Sequence, residues 1–543
     1  MKNEIRPNPR FTVIAFVSTV ALSATLQAPA QQLALTPKTM SAVGTVDERY
    51  QSYNIEMLEV TGGRFWAPYK TQTDTPADTA QPTPGGMPAS LYRYRAPIDL
   101  TNPKLRKLAA ALGPAYLRVS GTWANSTYFQ DSEDPAPAKP GAPTDRSLSA
   151  GLTPPAGFNG VLTRAQWRGV IDFSHVVDAK LVTSFAISPG VRDANGVWTP
   201  VEAQKLLNYT RSAGGSIAAA EMFNEPTFAS MGGAPKGYDA AAYARDFHAF
   251  HAFIQKADPE MKILGPGGVG EAGSLGPMPG MHLIKSEDIL NAEGPGIDAF
   301  SYHFYGAVSE RCARMGAAGG TTPEAALTVD WLSRTNHDEE FYAALRDRFT
   351  PGKPLWLTET GETACGGDPW ASDFIDSFRY LNQLGILAKH GVKVVIHNTL
   401  AASDYAFIDE STLTPRPNYW SAVLWRRLMG TTVLDTGASP SPNLYLYAHC
   451  LRGKPGGVAL LAINADRNTA QSINLPAKSI RYILTSSDLM SPTVLLNGVE
   501  LQLTPNGDLP SLNGAPQPPR SVSLSAASIT FLAIPSAHNA ACR

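Results

Sequence analysis

The chain has 543 residues, a formal net charge of −2 and 43% hydrophobic residues. That length exceeds one small domain and suits two domains sharing a large core. The near-neutral balance, with no run of basic residues, excludes the basic footprint of a nucleic-acid binder.

Residues 1–30 read as an export signal: Lys2, Arg6 and Arg10, then a mostly apolar stretch from Phe11 to Thr25, then the small-residue site Ala28-Pro29-Ala30. The alternative, an N-terminal anchor, suits it less, because the apolar part is short for a membrane span. A secreted or periplasmic protein with no membrane partner once the signal is removed is expected. Residues 31–47 form a mildly β-like segment expected to join a C-terminal sandwich.

From residue 48 to 428, strand-like and helical patterns alternate. The strands are Ser52–Met57, Tyr116–Gly121, Leu181–Ile187, Ser216–Glu225, Lys262–Pro266, Ile297–Tyr305, Leu355–Glu359 and Val392–Thr399. Asn102-Pro103 is a cap with proline at the first helical position, and Thr199-Pro-Val-Glu202 reads as a capping box. Eight βα repeats predict an α/β fold, a (β/α)8 TIM barrel. The competing doubly wound sheet wants a glycine-rich phosphate turn, for which Thr61-Gly-Gly63 is too weak. Two Pro-rich stretches, Tyr69–Pro97 and Asp134–Pro155, read as long loops. From 429 to 543, short apolar runs separated by Pro, Gly and Asn predict a β-sandwich domain: Leu444–Ala448, Gly457–Ile463, Ile480–Thr485, Leu501–Leu503 and Ser528–Ile534.

Chemistry in such a barrel sits at the C-terminal ends of the strands. There the fourth strand delivers Asn224-Glu225-Pro226 and the seventh delivers Glu359. Two carboxylates on one rim are what glycoside hydrolysis needs. Alternation puts Leu355, Leu357 and Glu359 on one face, which favours Glu359 over Glu362. Glu221, deeper on the fourth strand, reads as a structural carboxylate. Arg118, His303 and Tyr305, also at strand ends, are candidate sugar ligands, and Tyr405 follows the eighth strand. Trp66 and Trp123 are candidate stacking platforms, with core packing as the plainer reading.

In combination, several motifs resemble glycoside hydrolase family 79, the heparanase and β-glucuronidase family of clan A retaining enzymes. They are Leu117-Arg-Val-Ser-Gly-Thr122, Glu221-Met-Phe-Asn-Glu-Pro226, His303-Phe-Tyr305, Trp356-Leu-Thr-Glu-Thr360, Gly366-Gly367, Ser403-Asp-Tyr405, Asn418-Tyr-Trp420 and Leu428-Met-Gly-Thr-Thr-Val433. The resemblance implies that Glu225 is the acid/base and Glu359 the nucleophile, and that no metal or organic cofactor is needed. It implies that Gly366, Gly367 and Tyr405 hold the carboxylate of a glucuronic acid, and that Asn224 and Glu56 contact the sugar. It also pairs Cys450 with Cys542.

Four cysteines suit an oxidising compartment and allow three pairings, with free thiols as the alternative. Cys312 and Cys365 fall in loops of the same rim, after the sixth and seventh strands, so a bridge between them is predicted. The loop after Glu359 is about one residue longer than the heparanase pattern, with Glu362 and Cys365 inserted in it. The basic clusters that animal heparanases use for sulfated chains have no evident counterpart.

The expected protein is a monomeric hydrolase of uronic-acid-containing carbohydrate. Within that reading, exo release of glucuronic acid competes with endo cleavage of heparan-type chains. A clan A hydrolase of neutral glycans and an inactive glycan-binding protein are the remaining alternatives.

Overall fold

The computed structural model describes residues 1, 33–69, 87–133, 152–275, 283–313, 320–439 and 441–543. The export-signal reading and most of the two Pro-rich loops lie outside these residues. Among the described residues no helix is long and apolar enough to cross a membrane.

Eight parallel strands close into a barrel: β1 (Gln51–Glu56), β2 (Ala115–Ser120), β3 (Ala179–Ser184), β4 (Ile217–Glu221), β5 (Lys262–Gly268), β6 (Ala299–Tyr305), β7 (Leu355–Gly361) and β8 (Val394–His397). Each is followed by a shell helix: α1 (Pro103–Ala110), α2 (Arg164–Val176), α3 (Val201–Ser212), α4 (Ala240–Ala257), α5 (Ser286–Glu293), α6 (Val329–Phe349), α7 (Asp376–Lys389) and α8 (Pro417–Leu428). The strands are buried on both faces, which is why they read as near-continuous apolar runs. Outward residues such as Tyr53, Ile55, Leu117 and Val119 pack against the helices, in one cluster with Leu355 and Leu357. Inward, Tyr116, Val182, Ala219, Leu264, Ala299, Trp356, Val394 and Ile396 plug the lower barrel.

Local signals explain most boundaries. Asn102 caps α1 by accepting from the Lys104 and Leu105 amides, with Pro103 at the first helical position. The expected box at Thr199 does not form. Pro200 precedes α3 without a side-chain cap, and the Thr199 hydroxyl donates to the Val191 carbonyl instead. The fourth strand was expected to reach Glu225 but ends at Glu221. Inside the first Pro-rich stretch, Tyr92–Arg95 pairs with Gly63–Trp66 as an antiparallel ribbon.

Parity along β7 also departs from expectation. Leu355 and Leu357 face the helices, whereas Trp356 lies in the lower barrel and Thr358 donates to Glu221 in the lumen. The register then slips, from Tyr302 opposite Leu357 to His303 opposite Glu359. A bulge of this kind inserts a residue and re-aims those beyond it. Glu359 therefore enters the lumen because the alternation breaks, on the face opposite to the leucines.

The C-terminal domain stacks two sheets. The larger contains Met429–Leu434, Leu444–Leu451, Val458–Asn464, Ser528–Ile534 and Ser479–Thr485 in that order, with Ala42–Thr45 at its edge. The smaller joins Leu33–Ala34, Gln471–Leu475 and Arg520–Leu524. Leu446, Leu460 and Leu532 meet Ile473, Leu475 and Val522 between them. Leu501–Leu503, expected as a strand, is irregular. Cys450 and Cys542 are bridged, so the end of the chain is tied to Leu444–Leu451.

Candidate active site

Inward residues of the upper barrel are polar, and they are wired to one buried guanidinium. Arg118 of β2 is wholly buried. Its Nη1 donates to Glu359 Oε2 at 2.8 Å, and its Nη2 to Glu221 Oε2 at 2.7 Å and Asn224 Oδ1 at 2.8 Å. A buried charge is tolerated only when paired and hydrogen-bonded, and Arg118 is both. For Glu221, burial pushes the carboxyl pKa up, but Arg118 and His303 outweigh it and hold the group well below the usual range.

Glu225 reaches the rim by a different route. Past the end of β4, Asn224 is fixed through its own backbone: the amide donates to Asn125 Oδ1 at 2.8 Å, and the carbonyl accepts from Asn125 Nδ2 at 2.9 Å. Glu225 then takes a left-handed conformation, φ 51°, before a short 3-10 turn, Pro226–Phe228. Such a backbone costs roughly 1–3 kcal/mol in a non-glycine residue and persists where its surroundings over-determine it. Here it delivers the carboxylate to the lumen mouth.

The two rim glutamates are neighbours. A carboxylate oxygen of Glu225, one of Glu359 and a ring nitrogen of His303 lie within 4.8 Å of one another. His303 Nδ1 is 3.1 Å from Glu225 Oε1, and its Nε2 is 3.3 Å from Arg118 Nη2. Burial alone disfavours a charged ring, and Arg118 adds to that. Glu359, Glu221 and Glu225 outweigh both and raise His303 to about 9. The trio also has metal-type donors, but its atoms are already tied to one another and to Arg118, which suits acid–base work. Tyr305 donates its phenol proton to Glu359 Oε1 at 2.7 Å. Asn398, at the end of β8, shares its Nδ2 among Tyr305, Tyr405 and Glu56, at 3.0, 3.2 and 3.2 Å. Burial, then the nearby Glu359, hold the Glu56 carboxyl well above its ordinary range.

Above these groups lies a cleft whose charged lining residues, among the described ones, are Glu56, Glu225 and Glu359. Its far edge is the loop after β7. Gly366 and Gly367 both have positive φ, 88° and 85°. A Cβ on Gly366 would lie 2.5 Å from Trp66 Cβ, and one on Gly367 3.1 Å from the Tyr405 amide. Only glycine fits this close approach of loop to wall. Cys365 is bridged to Cys312, as the two loop positions predicted.

The structure thus gathers Glu225, Glu359, Asn224, His303, Tyr305, Arg118, Glu56 and Tyr405 at one rim, with Gly366 and Gly367 beside Tyr405. Arg118 and His303, read from the sequence as sugar ligands, are fully buried behind the carboxylates and contact those instead. Asn125 and Asn398 were missed. Asparagine beside a strand end was the available signal, and it is too common to stand out without the fold.

Residues 95–385, more than half of the chain, match the family described as glycosyl hydrolase family 79, N-terminal domain. The chain is 28% identical over 488 residues to heparanase of Mus musculus, covering 82% of this chain and 88% of that protein. It is 28% identical over 489 residues to hyaluronoglucuronidase of Hirudo nipponia, covering 84% and 93%. A solved 4-O-α-L-rhamnosyl-β-D-glucuronidase from Fusarium oxysporum shares the fold, with a TM-score of 0.60 at 13% identity over 93% of this chain and 99% of that one.

Proposed function

The chain belongs to glycosyl hydrolase family 79 and is a glycosidase; from that premise we propose that it is a retaining β-glucuronidase. The observation that carries this reading is the pair Glu225 and Glu359, whose oxygens approach within 4.8 Å. That spacing suits a nucleophile close to its acid, and it leaves too little room for the intervening water of an inverting enzyme.

Glu359 attacks the anomeric carbon while Glu225 gives its proton to the glycosidic oxygen, so the C–O bond breaks and the aglycone leaves as an alcohol. Glu225, now ionised, takes a proton from water, whose oxygen displaces Glu359 and releases the sugar with its configuration retained. Arg118 and Tyr305 hold Glu359 by two charge-assisted hydrogen bonds, fixing the attacking oxygen. No basic side chain lines the described cleft. By the family resemblance, the substrate carboxylate is assigned to backbone N–H groups of Gly366 and Gly367 and to the Tyr405 hydroxyl, a grip that needs no basic side chain. Burial keeps that phenol protonated, and it accepts from Asn398, so its own hydrogen remains for an anion. The same lack of cations argues against a requirement for sulfated chains. Export to an oxidising compartment is part of the proposal, and the two disulfides support it.

Following the first-formed sugar by NMR during hydrolysis of an aryl β-D-glucuronide tests the mechanism. The β anomer should appear first, and Glu359→Gln should lose at least about a thousandfold in kcat. An α anomer first, or full turnover by Glu359→Gln, would overturn the assignment.

A further inference from the structure

Glu362 is a wholly buried carboxyl that takes no part in the reaction scheme. It stands at the start of the loop after β7, directly beyond the strand. Its Oε2 accepts from the Asp368 amide at 2.9 Å and from the Thr363 hydroxyl at 2.8 Å. The first of these bonds closes a turn from 362 to 368, and Gly366 and Gly367 lie inside it. The turn is also pinned by its neighbours. The Ala364 carbonyl accepts from the Ser309 amide at 3.0 Å, and the Gly366 carbonyl from the Ser403 hydroxyl at 2.7 Å. Asp368 Oδ1 accepts from the Glu310 amide at 2.7 Å.

The surroundings of Glu362 disfavour a charge. Asp368 and, on α7, Asp376 are like charges beside it. Arg379 of α7 is committed to Asp376 by two bonds of 2.6 and 2.8 Å. From the loop after β6, Arg311 is paired with Asp404 at 3.2 Å, and Glu310 adds a like charge near Asp368. Glu362 Oε1 and Asp368 Oδ2 are buried without a hydrogen-bond partner. Two ionised carboxylates in such a turn would be uncompensated, so it retains a proton. Burial, then these neighbours, hold Glu362 well above its ordinary range, and burial pushes Asp368 up to about 6. Resting on the β-glucuronidase reading, we propose that Glu362 is a positioning residue for uronate binding: as an uncharged acid it closes the turn that presents the Gly366 and Gly367 amides to the substrate carboxylate. Ionisation sets like charges against each other inside the turn and lets it spread. A neutral sugar makes no use of those amides, so the effect depends on the substrate.

The test measures kcat and KM for an aryl β-D-glucuronide and the matching β-D-glucoside from about pH 5 to about pH 8, where His303, raised to about 9, keeps its proton. In the wild type, KM for the glucuronide should rise with pH, because the turn loses its proton in that direction. Glu362→Ala should raise that KM about tenfold or more at the acid end, with a smaller change in kcat. Glu362→Gln, which stays uncharged, should recover most of that loss and flatten the rise with pH. Any glucoside turnover should keep its KM in both variants. An unchanged KM in Glu362→Ala, or a rise with pH in Glu362→Gln as steep as in the wild type, would overturn the proposal and leave the glucuronidase reading intact. Equal losses on both sugars would mean a merely structural role and would overturn it too. If the alanine protein does not fold, the slope in Glu362→Gln decides alone. A wild type that turns over the glucoside and not the glucuronide would sink the reading itself, and this proposal with it.

Discussion

At the scale of single residues, His303 connects the two carboxylates electrostatically. Its ring is wholly buried, which alone would lower its pKa, and Glu359 is the largest influence in the other direction. The folded value of about 9 lies above the ordinary 6.5. Its contribution to stability is therefore complete below about pH 6.5 and is lost as the pH rises through about 9. Removing the charge on Glu359 should weaken the hold on the ring proton. In Glu359→Gln, the His303 titration followed by NMR of the ring should move to lower pH than in the wild type. An unchanged midpoint would show that Glu359 does not govern the ring. In the proposed mechanism a glycosyl ester on Glu359 would remove the same charge, so the proton affinity of His303 would fall as that ester forms.

At the scale of elements, the eight barrel strands were legible because burial on both faces leaves continuous apolar runs in the sequence. What lay beyond reach was register. The bulge that turns Glu359 into the lumen is a mismatch between β6 and β7, and no local alternation encodes it. Glu359 nevertheless stood out as a candidate in the sequence, because it closes the run at the rim. The small outer sheet was missed although Ile473 and Leu475, and Val522 and Leu524, alternate with polar residues. Five-residue strands with one wet face resemble loops. The loop after β7 carries a sharper test. Gly366→Ala would force a Cβ to 2.5 Å from Trp66 Cβ at a φ of 88°, so loop or wall must move. We expect KM for a glucuronide to rise about tenfold or more, with a smaller change in kcat, because the proposed carboxylate grip would be lost before the chemistry. An unchanged KM would detach this loop from substrate binding. The Cys312–Cys365 bridge, closing a separation of 53 residues, limits how far the loop can yield.

At the scale of the whole molecule, the large C-terminal sheet is buried on both faces, and alternation along its strands divides the work. Leu446, Leu460 and Leu532 face the small sheet, while Tyr447, Leu461 and Phe531 join the core shared with the barrel helices. The chain enters the barrel from this sheet, through Ala42–Thr45, and returns to it at Met429–Leu434. The two domains are thus stitched at both ends of the barrel. Their contact is tightest at α7. A Cβ on Gly385 would overlap the Tyr447 ring, whose hydroxyl donates to Asn382 Oδ1 at 2.7 Å on the same helix. The ring cannot swing away without giving up that bond. Gly385→Ala should therefore destabilise by about 1–3 kcal/mol through overpacking, even though alanine is the better helix former. Tyr447→Leu removes the ring and should also destabilise, by loss of packing. Combined, the two changes should cost less than the sum of the singles, since the clash that Gly385→Ala creates requires the ring. Denaturant unfolding of the four proteins measures this coupling. Strict additivity would mean that the helix and the sheet meet more loosely than Gly385 implies, and that the sandwich is only tethered to the barrel.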